Sequence, residues 1–187
     1  MSGQKTSGLV QVYTGNGKGK TTCALGAGLR AAGHDLKVIM ICFMKAKIAE
    51  RSGKEEINYG EFKTTEMIPN FTIIPVGRET FVDKKNPDPI DIQMAQDGYK
   101  MALKALKERD CDLLILDEIN VAVEWNLISL EEQLNLFDVK PPDVELIMTG
   151  RYATVEIMER ANLVTEMTEI KHYYDTEQKP ARRGFEF

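Results

Sequence analysis

The sequence predicts a three-layer α/β fold, with a mainly parallel sheet covered by helices on both faces. Three observations point there. Short continuous apolar runs alternate with longer segments of helical period. The first run enters a glycine-rich turn that carries lysines and opens a helix. The 187 residues, 43% hydrophobic and 28% charged, suit one ordinary core, so one domain over 1–187 is expected, with 1–7 as a flexible tail.

Leu9 to Tyr13 reads as a buried strand, and a helical stretch from Lys20 to Ala32 follows, with Gly33 suited to its C-terminal cap. Val38 to Phe43 is a second apolar run, as expected of a strand covered on both faces. From Lys45 to Asn70 the chain is polar, and a long loop or short irregular helix is expected. Phe71 to Val76 is a third strand, where Pro75 favours an edge or a strand end.

After a turn over 83–89, a helix is predicted from Ile90 to Lys107, with Ile92, Ala95, Tyr99, Ala102, Leu103 and Leu106 on one face. Leu113 to Leu116 forms a strand that ends in Asp117 and Glu118. Ser129 and Glu132 have the spacing of a capping box, so a helix follows Ser129. Leu146 to Met148 is the next strand, and Thr154 to Arg160 the next helix.

A net charge of −5 supplies no general attraction to phosphate backbones or anionic lipid, so any phosphate site must be local, and nucleic acid is not an expected partner. No apolar run is long enough to span a bilayer, and the start lacks the apolar core of a secretory signal, so a cytoplasmic protein without a membrane partner is expected. Cys23, Cys42 and Cys111 lie far apart in apolar segments and read as reduced packing residues. His34 and His172 are isolated, which leaves little for a transition-metal site.

The chemistry concentrates in Thr14-Gly15-Asn16-Gly17-Lys18-Gly19-Lys20-Thr21-Thr22, set between a strand and a helix: a phosphate-binding loop. Its glycines let successive N–H groups turn inward, the helix adds its positive end, and Lys20 supplies a charge. Thr14 stands where the strict pattern has glycine, so this is a variant loop. Thr21 holds the position of a Mg²⁺-ligating hydroxyl, and Asp117-Glu118 resembles the acidic partner of such sites; either acid can face the crevice. Arg151 also follows a strand, and strand ends of such sheets converge on the ligand. Lys18 lies inside the loop and is a candidate phosphate contact.

Together with DLLILDEINVAVEWNLI at 112–128, VELIMTGR at 144–151, ANLVTEMTEIKH at 162–172 and ARRGFEF at 181–187, this loop resembles the P-loop ATP:corrinoid adenosyltransferases, also called cob(I)alamin adenosyltransferases. The resemblance runs from near the start to the C-terminus. It implies a P-loop NTPase (RecA-like) fold and transfer of the 5′-deoxyadenosyl group of ATP to a reduced Co(I) corrinoid, with release of inorganic triphosphate. Family members hold ATP reversed relative to most P-loop proteins, which leaves its 5′-carbon open. Co(I) is itself the nucleophile, so the protein's work is alignment and stabilisation of the leaving group.

Carried over position by position, the resemblance implies nucleotide binding by Gly15, Asn16, Gly17, Lys18, Gly19, Lys20, Thr21, Thr22, Arg30 and Arg151. It implies catalytic roles for Lys20 and Glu118, and Mg²⁺ neighbours in Thr21, Glu118 and Asp117, with Glu118 favoured over Asp117. Phe81, in GRETFVDK at 77–84, resembles an aromatic that family members use beside the corrin; a core aromatic is the other reading. Lys45-Ala46 stands where Lys-Gly is common, and 44–70 departs from the usual family sequence. A homodimer and an electron-donating reductase are further family expectations. The loop alone also permits a kinase or hydrolase acting at the γ-phosphate, or a nucleotide-dependent corrinoid-binding switch without turnover.

Overall fold

The computed structural model describes residues 7–46 and 59–187. The expected tail over 1–6, and the part of the expected loop over 47–58, lie outside the described residues. Six strands form one parallel sheet: β1 (Val10–Thr14), β2 (Val38–Phe43), β3 (Phe71–Val76), β4 (Leu113–Asp117), β5 (Glu145–Thr149) and β6 (Leu163–Glu166), in spatial order β3-β2-β4-β5-β1-β6. Helix α1 (Lys20–Ala32) leaves β1, and the chain returns in β2, with β5 and β4 lying between the two strands. Pro75 lies in the edge strand β3, where a missing N–H is tolerated.

Strand alternation divides the core between the two faces. Leu113 and Ile115 of β4 pack with Ala24 of α1 and Phe62 of α2 (Gly60–Thr65). Leu114 and Leu116 face α3 (Pro89–Glu108), α4 (Ile119–Glu124), α5 (Leu130–Val139) and α6 (Val155–Arg160), through Ala102, Leu106, Ile119, Leu136 and Ile157. Both sides of β4 are thereby dry, which is why its sequence is continuously apolar rather than alternating. The capping box of α5 is formed, with Ser129 Oγ accepting from Glu132 N and Glu132 Oε2 accepting from Ser129 N.

Several expectations are corrected. β1 starts at Val10, and Leu9 is exposed. On α3 the inward stripe runs Asp91, Ala95, Tyr99, Ala102 and Leu106, so Ile92 falls one position off it and is exposed. Gly33 does cap α1, but in a right-handed conformation, and the left-handed turn comes at Asp35. Cys42 and Cys111 are buried free thiols, whereas Cys23 is exposed and is not a packing residue. α4, β6 and the short α7 (Tyr173–Glu177) are additional to the predicted elements.

Candidate nucleotide site

Because every strand pairing is parallel, the carboxyl ends of β1, β2, β4 and β5 lie along one edge of the sheet, where open α/β folds bind ligands. The loop after β1 needs its glycines for definite reasons. Gly15 and Gly19 hold φ of +91° and +114°, a region that side chains strain to adopt. At Gly17 a Cβ would stand 2.7 Å from the carbonyl oxygen of Met167, which itself accepts the Gly17 N–H at 2.6 Å. The exit of β6 thus forms a wall against the loop.

Asn16, Gly17, Lys18, Gly19, Lys20, Thr21 and Thr22 line a cavity of about 390 Å³ together with Glu118, Arg151, Glu169, His172 and Glu186. Lys20 is buried, and its Nζ donates to Gly15 O at 2.7 Å and Gly17 O at 2.8 Å. Its third ammonium hydrogen remains for an anion. Burial lowers the Lys20 pKa, and the Glu118 carboxylate acts against that shift. Arg151 donates to Asn16 O at 3.2 Å. It follows Gly150 (φ +125°), whose carbonyl accepts from the buried Asn120, and Asn120 in turn accepts from Gln133. A buried amide chain therefore holds the turn that presents Arg151.

The two acids diverge. Asp117 is fully buried, with Oδ2 accepting from Lys45 Nζ at 2.7 Å and Oδ1 accepting from Thr149 Oγ1 at 2.7 Å. The chain then turns at Glu118 (φ +64°), whose N–H donates to the same Thr149 hydroxyl at 3.0 Å. Glu118 reaches the cavity, and burial first, then the charge of Asp117, pushes its pKa up.

Mg²⁺ fits part of the expected ligand set. The Thr21 hydroxyl and Glu118 carboxylate are hard oxygen donors lining one cavity, and Mg²⁺ usually takes one or two such protein groups beside phosphate and water. Lys18, Lys20 and Arg151 share this cavity with Glu118, Glu169 and Glu186, so a triphosphate there calls for a further cation. Asp117 does not fit, because it is wholly buried, is turned to Lys45 and Thr149, and does not line this cavity. Among the described residues, no cluster of three His, Cys, Asp or Glu could hold a metal by itself.

The C-terminal segment closes one side, a feature not anticipated from sequence. Lys18 Nζ donates to Phe185 O at 3.1 Å, and Glu186 is bound by Tyr173 and Arg182. Glu169, His172 and Glu186 lie within the matched segments 162–172 and 181–187, which were the available signal for them. Next door, a cavity of about 360 Å³ shares Lys18, Thr21, Thr22 and Glu186 and adds Lys45, Tyr59, Glu61, Phe185 and Phe187.

Two expected residues lie elsewhere. Arg30, in the last turn of α1, lines a different cavity with Gln11, His34 and Glu145 and is not brought to the loop. Ten residues of helix separate it from Lys20, roughly 15 Å of rise. Phe81 is 95% exposed between β3 and α3, so it is not a core aromatic, and it lines neither cavity.

The model of the family described as ATP:corrinoid adenosyltransferase BtuR/CobO/CobP matches residues 6–187. A corrinoid adenosyltransferase of Pseudomonas aeruginosa is 33% identical over 180 residues, covering 96% of this chain and 84% of that protein. One from Escherichia coli K12 is 32% identical over 186 residues, covering 98% and 88%. Among solved structures, a KaiC-like protein of Pyrococcus horikoshii superposes with a TM-score of 0.55 at 17% identity, over 88% of this chain and 75% of that one. The likeness shows the fold alone, the RecA-like α/β arrangement.

Proposed function

We infer the details of the reaction from one premise: the chain belongs to the ATP:corrinoid adenosyltransferase family, and is a transferase that adenosylates corrinoids with ATP. In this reading the Co(I) centre of the reduced corrinoid substrate attacks the 5′-carbon of ATP. The cobalt–carbon bond forms as the C5′–O bond breaks, and the electron pair leaves with inorganic triphosphate. The convergence of Lys20, Thr21, Glu118 and Arg151 on one cavity carries the reading, because those groups suit a departing polyanion, and no serine or cysteine lines that cavity.

Lys20, already oriented by two loop carbonyls, neutralises charge as the phosphate leaves, and Arg151, which donates to Asn16 O of the same loop, adds to it. Thr21 and Glu118 would hold Mg²⁺, which would supply further neutralisation of the phosphate oxygens. Phe81 is proposed to meet the corrin, since an exposed large aromatic calls for a partner surface. Formation of Co(I) requires an electron-donating reductase. A homodimer, a cytoplasmic location and one P-loop domain over 1–187 complete the proposal, and no described helix is long and apolar enough to cross a membrane.

Incubation with ATP, Mg²⁺ and chemically reduced corrinoid tests it: the corrin absorption spectrum should change to that of the alkylated cobalt. Persistence of the Co(I) spectrum under those conditions contradicts it.

A further inference from the structure

Beside the nucleotide cavity, lining the neighbouring one, stands a largely buried cation that the proposed reaction does not use. Lys45 follows the end of β2, one strand over from Asp117, and the register pairs Cys42 with Asp117. Met44 turns the chain with φ of +57°, and Gly77 packs so closely that a Cβ there would stand 2.5 to 2.6 Å from the Met44 and Lys45 backbone. The backbone from which Lys45 departs is therefore held between two strand exits. Its Nζ reaches Asp117 Oδ2 at 2.7 Å and lies 5.0 Å from the centre of the Tyr59 ring, which packs on Phe62 of α2.

Burial alone would lower the pKa of this lysine, and Asp117 more than reverses the shift. The side chain of Asp117 is wholly buried and that of Lys45 is 13% exposed, so the Asp117 charge has no water as a substitute partner.

We propose that Lys45 is a positioning residue of the nucleotide site: it holds Asp117 aside, so that of two adjacent carboxylates only Glu118 is presented to Mg-ATP. The inference rests on the proposed role of Glu118 at Mg-ATP. Without Lys45, Asp117 Oδ2 loses the donor that draws it away from the cavity, and the carboxylate is free to rotate toward the side where Glu118 stands. That movement alters the surroundings of Glu118, the carboxylate that Mg-ATP meets in the proposed site.

The test is calorimetric binding of ATP, with and without Mg²⁺ and without any corrinoid, to the whole protein and its variants. Lys45→Met should weaken Mg-ATP binding about 10- to 100-fold and metal-free ATP binding much less. Lys45→Arg should recover most of the loss, since it restores a cation beside Asp117. Lys45→Met combined with Asp117→Asn removes both charges, guards against simple misfolding, and should bind Mg-ATP more tightly than Lys45→Met alone. Wild-type protein that failed to bind Mg-ATP would remove the site reading itself. Wild-type binding with Lys45→Met unchanged, or weakened equally with and without Mg²⁺, would overturn the role of Lys45 alone.

Discussion

Asp117 and Glu118 are adjacent in the chain and bridged by one hydroxyl: Thr149 Oγ1 donates to the Asp117 carboxylate and accepts the Glu118 N–H. That bridge, with the left-handed turn at Glu118, seats one acid against Lys45 in the core and brings the other to the phosphate cavity.

The two acids should therefore respond differently to loss of charge. Asp117→Asn leaves Lys45 buried beside a neutral amide and should destabilise the fold by about 3 kcal/mol, read from denaturant unfolding. Glu118→Gln should leave stability at or above wild type at neutral pH, because a carboxyl whose pKa is raised by folding is easier to ionise unfolded. Its effect should appear instead as a higher Mg²⁺ requirement in turnover. Equal loss of stability in both variants would contradict the separation.

Lys20→Ala should cost about 3 kcal/mol of transition-state stabilisation, a fall of about 150-fold in kcat at saturating ATP. The residue is held only by loop carbonyls, so the melting temperature should move little. Wild-type kcat in this variant would remove Lys20 from the leaving-group role.

Much of this site was legible in the sequence, and the reasons are local. The bounds of α1, Lys20 to Ala32, match the prediction because the loop glycines end where the helical period begins. The box at Ser129 and Glu132 needs only a three-residue spacing. β6 escaped because it is an edge strand exposed on both sides, so its sequence alternates nothing. α4 was hidden because it is only six residues long and starts directly after the acidic strand end at Asp117 and Glu118. Lys45 was noted only as part of a divergent segment, since its partner lies 72 residues along the chain. Arg30 illustrates the opposite failure: it follows the loop in sequence, but the helix carries it away.

Phe81→Ala should leave unfolding free energy within about 0.5 kcal/mol of wild type, as expected of a side chain with 95% of its surface exposed. Corrinoid-dependent turnover should nevertheless fall while ATP binding is retained. Unchanged corrinoid kinetics would leave Phe81 without the proposed contact.

The C-terminal closure has a pH signature. Hydrogen bonds from Arg182 and Tyr173 hold the Glu186 pKa down to about 2. Because the folded value is depressed, its contribution to docking is present above the ordinary unfolded value of about 4.3 and is lost as pH falls toward 2. Carboxyl-carbon NMR should find the Glu186 midpoint near the lower value, and Arg182→Ala should move it upward. An unshifted midpoint in that variant would separate Arg182 from the closure.

Attack at the 5′-carbon keeps all three phosphates joined, whereas transfer of the γ-phosphoryl group yields ADP, so the products distinguish the reactions without ambiguity. Phosphorus NMR of the protein with ATP, Mg²⁺ and chemically reduced corrinoid should show inorganic triphosphate accumulating in step with adenosylated corrinoid. Stoichiometric ADP in place of triphosphate would contradict adenosyl transfer at this site.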